Sequence, residues 1–408
     1  MNLARFFRRS SPDAGVQTKM GEVDPVLAAV IIALIGFGTV MIYSASAIEA
    51  TVRFHDPEHF LKRQAVFALI SLIVMWVVSH VDYHRIRKLT YPILALVTGL
   101  MLLTVLGFGA RKGGAARWIA VGPILVQPAE MAKLALVLWL SYSLAKKAEK
   151  VKSFAIGFVP HVLMAGVFIL LCLKQPDFGS AVVISFMTFT MLFVAGARIS
   201  FLVGALIVAG GVAVKLVTST AYRWARVQAF LDIAGNRQGL AYQPFQSVMS
   251  FGSGGLFGLG LGKGLQVLYL PEAHNDFIAA IIGEELGFIG VLLLSATFLL
   301  LVSRGVRAAL RAPDDYGSYI AFGISAMIGV QALVNMSVAM AILPTKGLTL
   351  PFVSYGGSSL LVNAAAAGVL LNISRPRLPV ETPQTVPLAV DSPEASVTLV
   401  TAAEEGRP

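Results

Sequence analysis

The feature that most constrains this chain is a series of ten apolar runs, uncharged or nearly so, each long enough to cross a membrane. Spanning a hydrocarbon core about 30 Å thick takes roughly 20 helical residues. Lipid offers no partner to backbone N–H and C=O groups, so only helices and closed barrels cross it. The runs fall at about 25–48, 64–81, 89–109, 128–145, 153–173, 178–197, 199–218, 277–303, 316–343 and 355–373. They predict an all-α polytopic membrane protein of about ten transmembrane helices. Hydrophobic residues make up 56% of the chain and charged residues 13%, against roughly 45–50% and about 25% in soluble domains. The first run, from Pro25 to Ile48, exceeds the roughly 7–15-residue core of a cleavable signal and is expected to remain as a span.

The net charge of +10 would suggest nucleic acid in a soluble protein. Here the basic residues form short clusters between apolar runs, where they act as orientation signals. With the N-terminus inside, seventeen lysines and arginines fall on cytoplasmic segments. The short loops opposite hold eight: Arg53, Lys62, Arg63, Arg111, Lys112, Arg117, Lys174 and Lys346. That asymmetry predicts both termini in the cytoplasm. The organisation is then a cytoplasmic tail (1–24), a ten-helix membrane domain (25–374) and a cytoplasmic tail (375–408). The domain includes a large extracytoplasmic loop at about 219–276. The second tail, rich in proline, threonine and acidic residues, is expected to be disordered. The single cysteine, Cys172, lies inside an apolar run and reads as a small buried hydrophobe, with no disulfide framework.

On this topology the unusual polar segments all fall on the side away from the cytoplasm. They are Arg117-Trp118, the run Gln127 to Lys133, Lys174 to Gly179, the long loop with Arg223, Arg226, Gln246-Ser247 and Leu270 to Asp276, and the stretch Pro344 to Ser359. A transporter needs polar groups along a path near the midplane. A one-sided site instead suits a substrate whose reactive head lies at the outer leaflet. The cations there match an anionic head such as a diphosphate, although interfacial lysines and arginines also simply snorkel to headgroups.

Asp276 immediately precedes the run at 277–303. It suits a helix N-cap, and equally a general base kept ionised by the helix N-terminus. Asp177 has the same cap reading. Glu130 and Lys133, three residues apart, share a helix face and can pair. Inside a membrane such a pair is costly unless partnered, so it is either structural or functional. Glu284 and Glu285 call for a basic partner on another helix. The stretch Gly252 to Gly264 matches no P-loop and reads as a flexible re-entrant or surface loop. His274 has no second histidine or cysteine at ligand spacing, which argues against zinc.

These blocks, in this order, resemble the SEDS family (shape, elongation, division and sporulation), ten-helix proteins that polymerise peptidoglycan glycan strands. The resemblance rests on Arg117-Trp118, Gln127-Pro128 with Glu130, Lys174 to Gly179, Gln246-Ser247, Leu270 to Asp276, Glu284-Glu285-Leu286-Gly287 and Pro351 to Ser359. It runs from the first span to Arg377. Thr345-Lys346-Gly347, and Gly283 before the two glutamates, are closer to the division branch than to the elongation branch. Asn275 stands where threonine is commoner.

The resemblance implies that the 4-hydroxyl of one lipid II molecule attacks the anomeric carbon of another lipid-linked strand. Undecaprenyl diphosphate leaves, with inversion. Asp276 matches the family's essential aspartate and would be the base. Arg117, Lys133 and Lys174 would bind diphosphate or order the cavity, with Glu130 orienting Lys133. Trp118, Gln175, Asp177, Gln246, Ser247, His274, Lys346, Ser354 and Ser358 complete the implied site. A divalent cation, Mg2+ or Mn2+, is expected on the diphosphate, with no organic cofactor and no certain metal site. The implied partners are a class B penicillin-binding protein transpeptidase and other division proteins, in the inner membrane of a bacterium at the septum. The competing readings are a lipid II flippase and a non-catalytic division scaffold.

Overall fold

The computed structural model describes residues 18–379 apart from 113, 114, 123 and 346. Every predicted run is a helix. The first seven are α1 (Pro25–Phe54), α2 (His59–His80), α3 (Tyr83–Leu103), α4 (Pro128–Lys146), α5 (Val159–Lys174), α6 (Phe178–Val194) and α7 (Ile199–Thr218). Two short helices follow, α8 (Ala221–Leu231) and α9 (Tyr242–Gly254), and then α10 (Ile278–Arg311), α11 (Asp315–Ala339) and α12 (Gly357–Ser374). Among the described residues eight helices are long and apolar enough to cross a membrane, while α6 is apolar but shorter.

The bounds differ from the sequence reading where helices outrun the apolar run. Helix α10, broken at Gly287, runs on to Arg311, past the expected end at 303. Helix α2 begins at His59 rather than 64, which carries Lys62 and Arg63 onto its first turns.

Proline and aspartate start several of these helices. Asp24 caps α1 by accepting from Val26 N and Leu27 N at 3.0 and 3.1 Å, with Pro25 as the first helical residue. The start of α1 and the end of α12 meet at one end of the bundle: Asp24 N donates to Ser374 Oγ at 3.1 Å, and Arg304 Nη2 to Asp24 Oδ1 at 3.0 Å. Strand β1 (Thr18–Met20) pairs antiparallel with β5 (Arg377–Pro379). Arg377–Pro379, expected to belong to a disordered tail from 375, instead find backbone partners. The rest of that tail lies outside the described residues.

The opposite end carries the polar segments. The connection from α3 to α4 is not a plain loop but an antiparallel sheet of β2 (Ala110–Lys112), β3 (Ala115–Val121) and β4 (Ile124–Val126). It pairs backbone groups that would otherwise need solvent. Packing falls off towards α7, where Leu202 is the one buried residue of the helix.

The glycine-rich stretch is hydrogen-bonded into a break in α10. At Gly287 the helix has φ 67° and ψ −166°, a conformation open to glycine and costly for other residues. Carbonyls freed by the break are taken up: Leu259 N donates to Glu284 O at 3.0 Å and Gly260 N to Glu285 O at 2.9 Å. In return Phe288 N and Ile289 N donate to Gly255 O and Leu256 O at 2.9 and 3.2 Å. Gly258, at φ 78°, lies so close that a Cβ would stand 2.1 Å from Glu285 O. This docking re-satisfies a broken span from within the protein.

The two glutamates correct an expectation. Glu284 Oε1 accepts from Leu265 N and Gln266 N at 2.8 and 3.1 Å. Both oxygens of Glu285 accept from Ser44 Oγ at 2.6 and 2.7 Å. Backbone amides and a hydroxyl do here what a basic residue was expected to do, because the inserted loop brings its N–H groups to them.

Candidate active site

A cavity of about 320 Å³ opens at the end of the bundle that carries the polar segments. Its walls come from four places: Arg63 and Phe67 of α2, Arg117 and Trp118 of β3 with Leu125 and Gln127, Glu272, Asn275 and Asp276 before α10, and Gly347, Thr349 and Tyr355 to Gly357 leading into α12. Asp276 and Arg117 converge on Gly347. A methyl placed there would stand 3.2 Å from Asp276 Oδ2 and 3.7 Å from Arg117 Nη1.

Arg117 is held through its side chain and Asp276 through its own carbonyl. Arg117 donates from Nε to Gln175 O at 2.9 Å and from Nη2 to Pro176 O at 2.7 Å, so the α5–α6 turn aims its guanidinium. Asp276 is not the cap of α10: that position is Phe277, with no side-chain cap bond. Ser354 Oγ donates to Asn275 O at 2.6 Å, Tyr355 N to His274 O at 3.0 Å, and Asn335 Nδ2 to Asp276 O at 3.0 Å. The α11–α12 connection, with the end of α11, thus grips the whole segment from His274 to Asp276. Asn275 Nδ2 also donates to Glu272 Oε2.

Asp177 does cap its helix. Its carboxylate accepts from Ser180 N at 3.0 Å, Ser180 Oγ at 2.8 Å and Gln127 Nε2 at 3.2 Å. Gln175, 2% exposed, donates to Thr104 Oγ1 at 2.5 Å and Met101 O at 3.2 Å, anchoring the turn that supports Arg117.

Glu130 and Lys133 form the pair their spacing predicted, at 2.7 Å and 3% and 1% exposed. Lys133 does not line the cavity. Its Nζ also donates to Gln331 Oε1 at 2.5 Å, and Ser359 Oγ donates to Glu130 Oε2 at 3.1 Å. Gln331 Nε2 donates to Thr349 O at 3.0 Å, and Thr349 lines the cavity. The buried charge therefore reaches the cavity wall through the Gln331 side chain and the Thr349 carbonyl.

Other expected residues stand elsewhere. Lys174 is exposed and off the cavity wall. Ser247 Oγ donates to Ala339 O at 2.5 Å, tying α9 to the end of α11, and Gln246 accepts from Ser250 through its carbonyl. His274 is buried against Phe60 and Tyr355, 3.5 Å from Glu49. Ser358 Oγ receives Gln127 N at 3.4 Å. Lys346 lies outside the described residues.

Sequence reasoning missed Arg63, Thr349, Gln331 and Asn335 as parts of this region. Arg63 was legible only as one more loop cation. The amides had a usable signal: polar side chains one turn apart within an apolar span.

Fold and cavity define a class, a multi-pass membrane protein with a carboxylate and a guanidinium converging in a cavity at one end of the bundle. Comparison with known proteins narrows it. The family model described as cell cycle protein, covering FtsW, RodA and SpoVE, matches residues 25–378, and the chain belongs to that family. It is 44% identical over 358 residues to a probable peptidoglycan glycosyltransferase FtsW of Trichlorobacter lovleyi, covering 87% of this chain and 94% of the relative. It is 41% identical over 362 residues to the stage V sporulation protein E of Bacillus subtilis, covering 88% and 98%.

Among solved structures it resembles a chain of a peptidoglycan synthase complex described for its structural coordination of polymerization and crosslinking. The TM-score is 0.73 at 30% identity, covering 86% of this chain and 97% of that one. The rod shape determining protein RodA of Thermus thermophilus gives 0.64 at 29%, covering 86% and 96%.

Proposed function

We propose that this protein is a peptidoglycan glycosyltransferase that polymerises lipid II at the outer face of the cytoplasmic membrane, in septal wall synthesis. The observation that carries the reading is the convergence of the Asp276 carboxylate and the Arg117 guanidinium on one point of the cavity wall. A base and an anion-binding cation are what glycosyl transfer from a lipid diphosphate needs.

In the reaction, the acceptor's 4-hydroxyl oxygen forms a bond to the donor's anomeric carbon as the bond from that carbon to the diphosphate oxygen breaks. The hydroxyl proton passes to Asp276, and the diphosphate leaves with the electron pair. Attack opposite the leaving group inverts the anomeric centre. Arg117, already oriented by Gln175 and Pro176, offers a fixed charge to the diphosphate. Such preorganised charge acts where negative charge develops. Lys133 and Glu130 support the wall through Gln331 and Thr349 rather than by contact.

Among the described residues no three histidine, cysteine, aspartate or glutamate side chains gather as a metal site. A Mg2+ or Mn2+ ion would act here as the counterion of the substrate diphosphate, neutralising the charge of the leaving group. A class B penicillin-binding protein transpeptidase is the proposed partner, supported by the likeness to a chain of a synthase complex that couples polymerization with crosslinking.

Purified full-length protein given lipid II and a divalent cation should produce glycan strands on a gel, and Asp276→Asn protein should not. Vesicles containing the protein should translocate lipid II no faster than protein-free vesicles. Translocation without polymer would overturn the reading in favour of a flippase.

A further inference from the structure

Gln331 and Asn335 lie one turn apart within α11, 0% and 1% exposed. An amide buried in a bundle is costly unless its hydrogens are used, so their destinations are informative. Gln331 Nε2 donates to Thr349 O at 3.0 Å. Asn335 Nδ2 has two hydrogens and two acceptors, Leu348 O at 2.6 Å and Asp276 O at 3.0 Å. The two amides thus grip consecutive carbonyls of the wall segment Gly347 to Thr349, and Asn335 ties that wall to Asp276.

The position of the second bond matters. Helix α10 begins just after Asp276: Ala280 N and Ile281 N both turn back to Phe277 O, at 2.9 and 3.4 Å. Ties from the α11–α12 connection reach His274 and Asn275. Asn335 holds the carbonyl of Asp276 itself, the residue whose carboxylate stands 3.2 Å from the Gly347 Cβ position.

We propose that Asn335 is a positioning residue that fixes the Asp276 carboxylate against the wall at Gly347, and through it the point where the acceptor hydroxyl is deprotonated. The proposal rests on Asp276 being the base. A misplacement of about 1 Å in a reacting group lowers rate by on the order of 100-fold. Arg117 is held independently, by Gln175 and Pro176, so diphosphate binding does not depend on this clamp.

The test uses the purified full-length protein with lipid II and Mn2+, measuring initial polymerisation rates against lipid II concentration for wild type, Asn335→Asp and Asn335→Ser. Asn335→Asp keeps the volume and replaces the donor with an acceptor facing two carbonyls. The expected result is a kcat, per folded molecule, lowered about 10- to 100-fold, with KM within about two-fold of wild type. Asn335→Ser, which keeps one shorter donor, should fall between the two. A kcat per folded molecule within two-fold of wild type in both variants overturns the proposal, since Asn335 would then serve folding alone. A rise in KM at unchanged kcat overturns it as well. Failure of the underlying reading is separately visible, because Asp276→Asn would then polymerise at the wild-type rate.

Discussion

Two aspartates stand before helices at the cavity end of the bundle, and they do different work. Asp177 is the residue directly before α6, and its carboxylate is consumed by Ser180 and Gln127. Asp276 is one residue further out, with Phe277 in the cap position of α10. That single-residue offset takes its carboxylate off the helix end and onto the cavity wall beside Arg117. A helix-start aspartate therefore caps its helix or faces the cavity according to where the helix begins, which is set by neighbouring elements and not by the aspartate.

The sharpest way to break this contrast is Asp276→Asn. It should lower polymerisation by about 10²–10⁴-fold, the usual contribution of a general base, without lowering the melting temperature in detergent. A destabilised but active variant would place Asp276 with Asp177 as a structural residue. Lys133→Ala comes next and acts on folding. It leaves Glu130 charged and unpaired at 3% exposure, at a cost of about 3–5 kcal/mol, and pairing it with Glu130→Gln should recover folded yield. Thermal melts of the two variants would check this.

Asp177→Ala should cost about 1 kcal/mol of stability, as loss of a helix cap does. It should reduce polymerisation less than ten-fold, by loosening the turn behind Arg117. If Asp177→Ala abolished activity in folded protein while Asp276→Asn retained it, the roles would be reversed.

The smallest effect concerns a third aspartate, Asp314, at the far end of the bundle before α11. Burial pushes its carboxyl up, but hydrogen bonds from His84 and Tyr83 outweigh burial and hold it below the ordinary value. Ionised Asp314 therefore stabilises the fold above about pH 4, and the contribution disappears as pH falls through the lower folded value. Melts of wild type and Asp314→Asn should converge at acid pH and separate towards neutrality.

Much of the region around the cavity was readable in the chain as blocks without distances. Gln127 to Lys133, Lys174 to Gly179 and the segment ending at Asp276 each supply residues at or behind the cavity. Lys133, expected to bind diphosphate or to order the cavity, stands behind the wall and not on it: helical spacing shows that it faces Glu130 but not that Gln331 closes over its other side. Likewise the adjacent Glu284 and Glu285 looked like half of an ion pair. A break at Gly287 and an inserted glycine loop, which no local pattern specifies, provide their donors.

The sequence by itself determined the succession of long apolar helices, the pairing of Glu130 with Lys133 and the clustering of polar blocks in the connections. These follow from local quantities: helix rise against membrane thickness, 3.6-residue periodicity and the cost of charge in lipid. Tertiary structure alone decided which aspartate caps and which faces the cavity, that Lys133 acts through Gln331 and Thr349, and that Asn335 reaches both Leu348 and Asp276. Those outcomes depend on bonds between residues tens to hundreds of positions apart, and a chain read in one dimension carries the donors and acceptors without their partners.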